Sequence, residues 1–353
     1  MEYAKIGWTK GETMKPKKSQ RKMSVTLSSI AFGLVMLIII AAAIFYFSGK
    51  DPNQTVEQIE SLLGLEKEPE ASSPAPSSKP SSAKTGDVSL GKALPADGQL
   101  SLIMLDVGQG DSLFLQMPNG QTMLVDTGEY EYWNRLDHYL NELKVNKIDA
   151  LVATHPHSDH IGSMQSVINH YEIGQLYMPK VSHTSKTYEN LLKTVQKHNM
   201  RIVALKGAKG QTIDLDPNVS IKVLAPISDQ YEDLNNYSAV LQIEYKNVSF
   251  LLTGDAENVS EREMVDQYGK ALKSDVLKVG HHGSNSSSKS YFLEAVQPKY
   301  ALISCQQNNE YNHPHEKTIS RLNKIKAEIF RTDLSGSIAL TTDGKSIKIE
   351  TSQ

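Results

Sequence analysis

One run of seven residues, Thr154-His155-Pro156-His157-Ser158-Asp159-His160, brings together three imidazoles and a carboxylate. These are ligand types suited to Zn²⁺, Mn²⁺ or Fe. The run follows an apolar segment, Ala150–Ala153, that reads as a buried strand, and it precedes a helical pattern opening near Gly162. A strand-to-helix turn can fan four side chains toward one point, whereas a regular strand sends alternate residues to opposite faces. Pro156 removes a backbone donor and stiffens that turn. A single histidine in a polar loop would carry no such meaning, but H-x-H-x-D-H behind an apolar strand points to a metal centre. The only cysteine, Cys305, excludes both an intrachain disulfide and a Cys-rich zinc cluster, so a metal has to be held by His and Asp.

The elements that must position this turn are read from periodicity. Short runs rich in Val, Ile and Leu predict strands at Leu100–Leu105, Ser112–Gln116, Thr122–Val125 and Ile148–Ala153. Further strands are expected at Ile221–Leu224, Ala239–Tyr245, Ser249–Leu252, Val276–Val279, Tyr300–Ser304 and Ser337–Leu340. Helical spacing fits Tyr132–Leu143, Gly162–His170, Tyr188–His198, Val259–Tyr268, Lys289–Val296 and Glu316–Ile325. Strands and helices therefore alternate in two halves, as in a layered α/β domain with helices outside. His170, His183 and His198 fall on predicted helices or loops between the motifs and read as surface histidines.

The chain of 353 residues is long enough for one sizeable domain and additional segments. Its formal net charge of -3 gives no global basic field, so any nucleic-acid reading must rest on the site. Residues 1–24 carry Lys15, Lys17, Lys18, Arg21 and Lys22 ahead of an uncharged apolar run, Val25 to Phe47, long enough for a transmembrane helix. Positive charge on its N-terminal side places that end in the cytoplasm and the bulk of the chain outside, in contact with membrane lipid only through the anchor. A cleaved secretory signal is the competing reading, with Ala41 to Ala43 as the small-residue site. Residues 48–98 read as a stalk and a disordered linker, because "EPEASSPAPSSKPSSAK" has too little apolar surface to offset its conformational entropy. The globular domain is expected over 99–353.

The His-rich turn resembles the signature of the metallo-β-lactamase superfamily, which implies a four-layered αββα fold with one or two metals at one edge of its sheets. Downstream, Leu251-Leu252-Thr253-Gly254-Asp255 resembles the motif whose aspartate bridges two metals, and Leu277-Lys278-Val279-Gly280-His281-His282-Gly283-Ser284 the motif that supplies the last histidine. The resemblance thus implies a ligand set of His155, His157, Asp159, His160, Asp255 and His281 or His282, holding two divalent ions, Zn²⁺ or Mn²⁺. If the histidine pair ends a strand, alternation lets only one of the two ligate. Asp126 and Thr127 end a strand near the metal edge and are candidate partners of a ligand histidine.

Leu105-Asp106-Val107-Gly108-Gln109-Gly110-Asp111-Ser112, Leu124-Val125-Asp126-Thr127-Gly128, His282-Gly283-Ser284 and Tyr311-Asn312-His313-Pro314-His315 are together similar to the extracellular metallo-β-lactamase domain of ComEC-type competence proteins. In that family the domain accompanies a DNA-uptake channel and is associated with nuclease activity; here only one membrane span is legible. Leu234-Asn235-Asn236-Tyr237-Ser238 stands where the superfamily usually has another histidine, leaving a position open to water or to an Asn235 or Asn236 carbonyl. The implied activity is a phosphodiesterase or nuclease on DNA, with water activated between the metals, Asp159 orienting it and His313 protonating the leaving group. Hydrolysis of another ester, such as a cell-wall choline phosphoester or a lactam-type amide, and a non-catalytic binding role are the alternatives. Lys278, Lys289, Lys299 and Arg331 are candidate phosphate contacts, and Tyr291, Phe292, Tyr300 and Tyr311 candidate stacking aromatics, although Phe292 and Tyr300 read more readily as core.

Overall fold

The computed structural model describes Leu90 and residues 98–207 and 210–353. The expected basic N-terminus, the span 25–47 and nearly all of the linker lie outside the described residues. Among the described residues no helix is long and apolar enough to cross a membrane.

Fourteen strands are described: β1 Leu100–Met104, β2 Leu113–Gln116, β3 Thr122–Val125, β4 Lys147–Val152, β5 Glu172–Pro179, β6 Ile202–Leu205, β7 Val219–Ala225, β8 Val240–Tyr245, β9 Val248–Leu252, β10 Val276–Lys278, β11 Tyr300–Ile303, β12 Glu328–Arg331, β13 Ile338–Thr342 and β14 Ile347–Thr351. They form an eight-stranded sheet in the order β14-β13-β1-β2-β3-β4-β5-β6 and a six-stranded sheet in the order β12-β11-β10-β9-β8-β7. Alternation of side chains along each strand divides the interior into three cores. Leu100, Leu102 and Met104 of β1 pack with Ile243, Phe250 and Leu302 of the other sheet. Ile103 and Leu105 turn the opposite way, toward Leu136 and Leu140 of the helix Trp133–Glu142 and Leu191 of Lys186–Lys197. On the far side, Leu251, Leu277 and Ile303 pack with Met264, Phe292 and Leu322 of the helices Asn258–Tyr268, Ser290–Val296 and Glu316–Lys324. Helices, sheet, sheet and helices are thus stacked as the αββα layers that the resemblance implied, with the helices outside as the alternating pattern led one to expect.

The same topology fixes where a site can form. β3 to β6 run parallel, as do β9 to β12, so within each set the carboxyl ends lie at one edge. Asp126 follows β3, the His-rich turn follows β4, Asp255 follows β9 and the histidine pair follows β10. Strand carboxyl ends in parallel α/β sheets are where backbone and side chains diverge to leave a crevice.

Periodicity missed β5, β6, β12 and β14. β5 contains Gly174 and ends at Pro179, and several of its residues are only half buried, so it carries no clean alternation. β12 and β14 are edge strands with half-buried side chains. The helix expected over Gly162–His170 is instead a single turn, Ser158–Ile161, followed by Met164–His170.

Candidate metal centre

The His-rich turn is held from three directions. Asp126, just past β3 at a φ of 59°, accepts from the Thr154 backbone N–H at 2.8 Å and from Thr154 Oγ1 at 2.6 Å, and its Oδ2 lies 2.8 Å from His160 Nδ1. Thr127 donates its backbone N–H and its hydroxyl to the His160 carbonyl, at 2.7 and 3.1 Å. The Asp111 backbone N–H donates to the Asp159 carbonyl at 3.1 Å. Gly110 passes so close to that carbonyl that a Cβ would collide with it. The glycine-rich Val107-Gly108-Gln109-Gly110-Asp111 segment therefore serves as backing for the turn. With the turn fixed, His155 Nε2 lies 3.0 Å from His157 Nδ1, and the His155 and His160 rings are 4.1 Å apart.

Asp255 is the hub. Its Oδ2 lies 3.2 Å from His160 Nε2, 3.4 Å from His282 Nε2 and 3.8 Å from His281 Nε2. His282 Nε2 is also 3.2 Å from Asp159 Oδ2. One ligand atom from each of Asp159, His160, Asp255 and His282 falls within 4.8 Å of all the others. His160 Nε2 and Asp255 Oδ1 are buried without a hydrogen-bond partner among the described residues. Buried polar atoms left this way are costly, and a divalent cation would satisfy both at once. The residues therefore fit a metal.

The histidine pair does not end a strand. β10 stops at Lys278, and the pair sits in a 3₁₀ turn, Gly280–Gly283, with both histidines at positive φ, 50° and 52°. Two consecutive non-glycine residues in that region are rare and cluster at functional sites. Strand alternation therefore does not separate them, and both rings turn toward Asp255. They differ in surroundings: His282 is buried, with Nδ1 3.0 Å from the Ser304 carbonyl, and it belongs to the four-residue group. His281 is half-buried, with Nδ1 3.1 Å from both Glu257 Oε1 and Ser286 Oγ. Gly283, at a φ of 85°, leaves room for Pro314 where a Cβ would come within 2.5 Å of it.

The charges are mutually dependent. Burial opposes protonation of His282, yet Asp255, Asp111 and Asp159 around it outweigh that and raise it to about 10. For His160, burial is likewise outweighed by Asp255, Asp159 and Asp126, which lift it well above the usual imidazole range. Burial pushes the Asp255 carboxyl up, but His160, His282 and His281 hold it well below its ordinary value. Buried His155 is pushed well below, by desolvation first and by His160 next. The carboxylates around Asp255 thus favour the positively charged forms of both buried imidazoles, as they would favour any cation placed among them.

Several expectations change on the structure. Lys278 cannot meet a substrate phosphate: its side chain is 0% exposed, ion-paired with Asp111 and donating to the Gly254 carbonyl at 3.0 Å. Arg331 is forked onto Asp333, while Phe292 is core, as its sequence setting led one to expect. The Asn236 amide oxygen accepts from the Ser260 backbone N–H at the start of a helix, so it faces away from the centre; Asn235 Oδ1 is buried and without a partner among the described residues. Ser238 accepts from the Asp255 backbone N–H at 3.1 Å. His183, expected on the surface, lies with its ring 5.9 Å from that of His157.

His313 stands apart from the ligand group, 5.4 Å from the His281 ring and 6.2 Å from the His282 ring, with the exposed Tyr311 stacked on it at 5.6 Å. Burial, then His282 and His281, hold it down to about 3. Asp111, Thr154, Ser238 and Glu257 have no role assigned from the sequence, and Lys278 has there only that of a phosphate contact. Only the company of Asp111 and Lys278 within the motifs marked them.

With this geometry in place, the family is clear: the chain belongs to the metallo-beta-lactamase superfamily, whose profile matches residues 105–307, and it is a metal-dependent hydrolase of that fold. It is similar to ComE operon protein 3 of Bacillus subtilis, 33% identical over 262 residues, covering 69% of this chain and 33% of that protein. Competence protein ComA of Neisseria gonorrhoeae is 32% identical over 248 residues, covering 70% and 33%. This chain spans about a third of the length of both. A diphosphatase from the PhnP family is a similar solved structure, at 17% identity and a TM-score of 0.43, over 69% of this chain and 97% of that one.

Proposed function

We propose that the chain hydrolyses phosphodiester bonds of DNA with two divalent ions, Zn²⁺ or Mn²⁺, held by His155, His157, Asp159, His160, Asp255 and His282, with His281 at their edge. What carries the metal reading is the buried group around Asp255, with its orphaned acceptor and imidazole nitrogen. What directs it to DNA is the likeness to proteins named for competence. Such ions, when bound, supply an activated water and polarise the phosphoryl oxygen.

This chain's residues would do the rest. Asp159, whose side chain is 25% exposed against 2% for Asp255, is the open carboxylate of the set and would orient the attacking water. His313, neutral in the metal-free protein, would relay a proton to the leaving oxygen once an anionic phosphoryl group beside it restores its proton affinity. Tyr311 offers a base an exposed aromatic face. We propose also that residues 25–47 anchor the chain in the cell membrane, with the globular domain of 99–353 outside.

The test is metal-dependent cleavage by the full chain in detergent, on single- and double-stranded DNA and on bis(p-nitrophenyl) phosphate, beside Asp159→Ala. DNA cleavage lost in the variant is expected. Cleavage of the small diester alone would move the substrate to another ester, and inactivity with metal bound would favour a binding role.

A further inference from the structure

Beneath the group around Asp255 lies a second one. Ligand atoms of Asp111, Asp126 and His160 also fall within 4.8 Å of one another, and all three side chains are buried. By residue type alone this inner group is as good a metal site as the outer one. It differs in having a cation of its own. The Lys278 ammonium is ion-paired with Asp111, donates to the Gly254 carbonyl at 3.0 Å and lies 3.7 Å from Asp255 Oδ1. The Asp111 carboxylate and the Gly254 carbonyl hold the ammonium, and Asp255 Oδ1, beyond hydrogen-bond range, adds only electrostatic attraction. At 0% exposure, this lysine cannot exchange them for water.

We propose that Lys278 is a built-in counter-ion, a positioning residue that occupies the inner acidic group in place of a divalent ion. It thereby restricts metal loading to the outer group. Held by the ammonium, Asp111 stands 3.5 Å from His282 Nδ1, on the side of the ring away from Asp255 and Asp159, so the pair also backs His282. The arrangement gives the glycine-rich segment ending at Asp111 and the lysine ahead of the histidine pair a joint purpose. The proposal rests on the reading that the outer group holds the ions.

The test counts metal. Full-length wild type, Lys278→Met and the double variant Asp111→Asn/Lys278→Met are dialysed against excess Mn²⁺, the ions per chain are measured by atomic spectroscopy, and Tm is recorded with and without chelator. Lys278→Met is expected to hold one more ion per chain than wild type, and its Tm in chelator to fall by roughly 5–15 °C as Asp111 loses its partner. The double variant is expected to return to the wild-type count. Equal counts in all three overturn the proposal, whatever Tm does. If Lys278→Met does not fold, Asp111→Asn alone decides. Its released ammonium should lean on Asp255 and weaken Mn²⁺ binding at least tenfold, and an unchanged Kd overturns the proposal. A wild type that binds no Mn²⁺ would instead defeat the underlying reading, and this proposal with it.

Discussion

The outer group of Asp159, His160, Asp255 and His282 and the inner group of Asp111, Asp126 and His160 are built from the same residue types and share a histidine. Both retain buried atoms without hydrogen-bond partners among the described residues, Asp255 Oδ1 and His160 Nε2 in the outer one and the Asp111 oxygens in the inner one, but the outer one opens at Asp159. The inner one is closed and neutralised by Lys278. Ligand chemistry alone therefore does not make a metal site. Access and the charge already present decide which of two carboxylate-imidazole groups is available to an ion.

The largest way to break this contrast is Asp255→Ala, which removes the hub of the outer group. Metal affinity is expected to fall by roughly 10²–10³-fold or more, as isothermal titration would show, with phosphodiesterase activity falling alongside. An intact Kd would mean that the ions sit elsewhere. Asp126→Asn acts one step behind the ligands, through His160 and Thr154. It is expected to cost about 10- to 100-fold in metal affinity while leaving the ion count unchanged.

Acidity sharpens the same contrast. Surrounding carboxylates favour the protonated forms of His282, raised to about 10, and of His160, raised well above its usual range, and a divalent ion would compete with those protons. Affinity is therefore expected to rise with pH, and calorimetry in buffers of different ionisation enthalpy should register proton release at neutral pH. A pH-independent Kd would contradict the outer assignment. The smallest effect concerns Glu261, a buried carboxyl away from both groups that accepts from the backbone N–H groups of Ser288 and Lys289. Desolvation pushes it up to about 8 from 4.5. The folded chain holds a proton that the unfolded chain gives up, so this contribution is fully present below about 4.5 and is lost as pH rises through about 8. Glu261→Gln should flatten the fall of Tm across that window. An unaltered slope would remove Glu261 as its source.

The His-rich turn was legible because its four ligand residues lie within six positions of one another, behind a strand whose apolar run is unmistakable. Asp255 and the histidine pair were reached only through resemblance, since a glycine and an aspartate after a strand are ordinary turn residues. The manner in which His281 and His282 share one carboxylate was not legible at all. It depends on two left-handed backbone conformations beyond β10, which side-chain type does not announce. Lys278 reads as a surface cation in the sequence and is a buried one in the fold, because its partner Asp111 is 167 positions away in number but adjacent across the two sheets. A layered domain with helices outside was readable from alternation and the four-layer order only through resemblance, and the half-buried strands β5, β6, β12 and β14 escaped because their faces are not cleanly divided between core and solvent.

The most direct measurement is anomalous diffraction from crystals of the Mn²⁺-loaded protein. The account requires a peak beside Asp255 Oδ2, within coordination distance of His160 Nε2 and His282 Nε2, and none between Asp111 and Asp126. A peak at the inner group, or ions only at positions remote from Asp255, would contradict it.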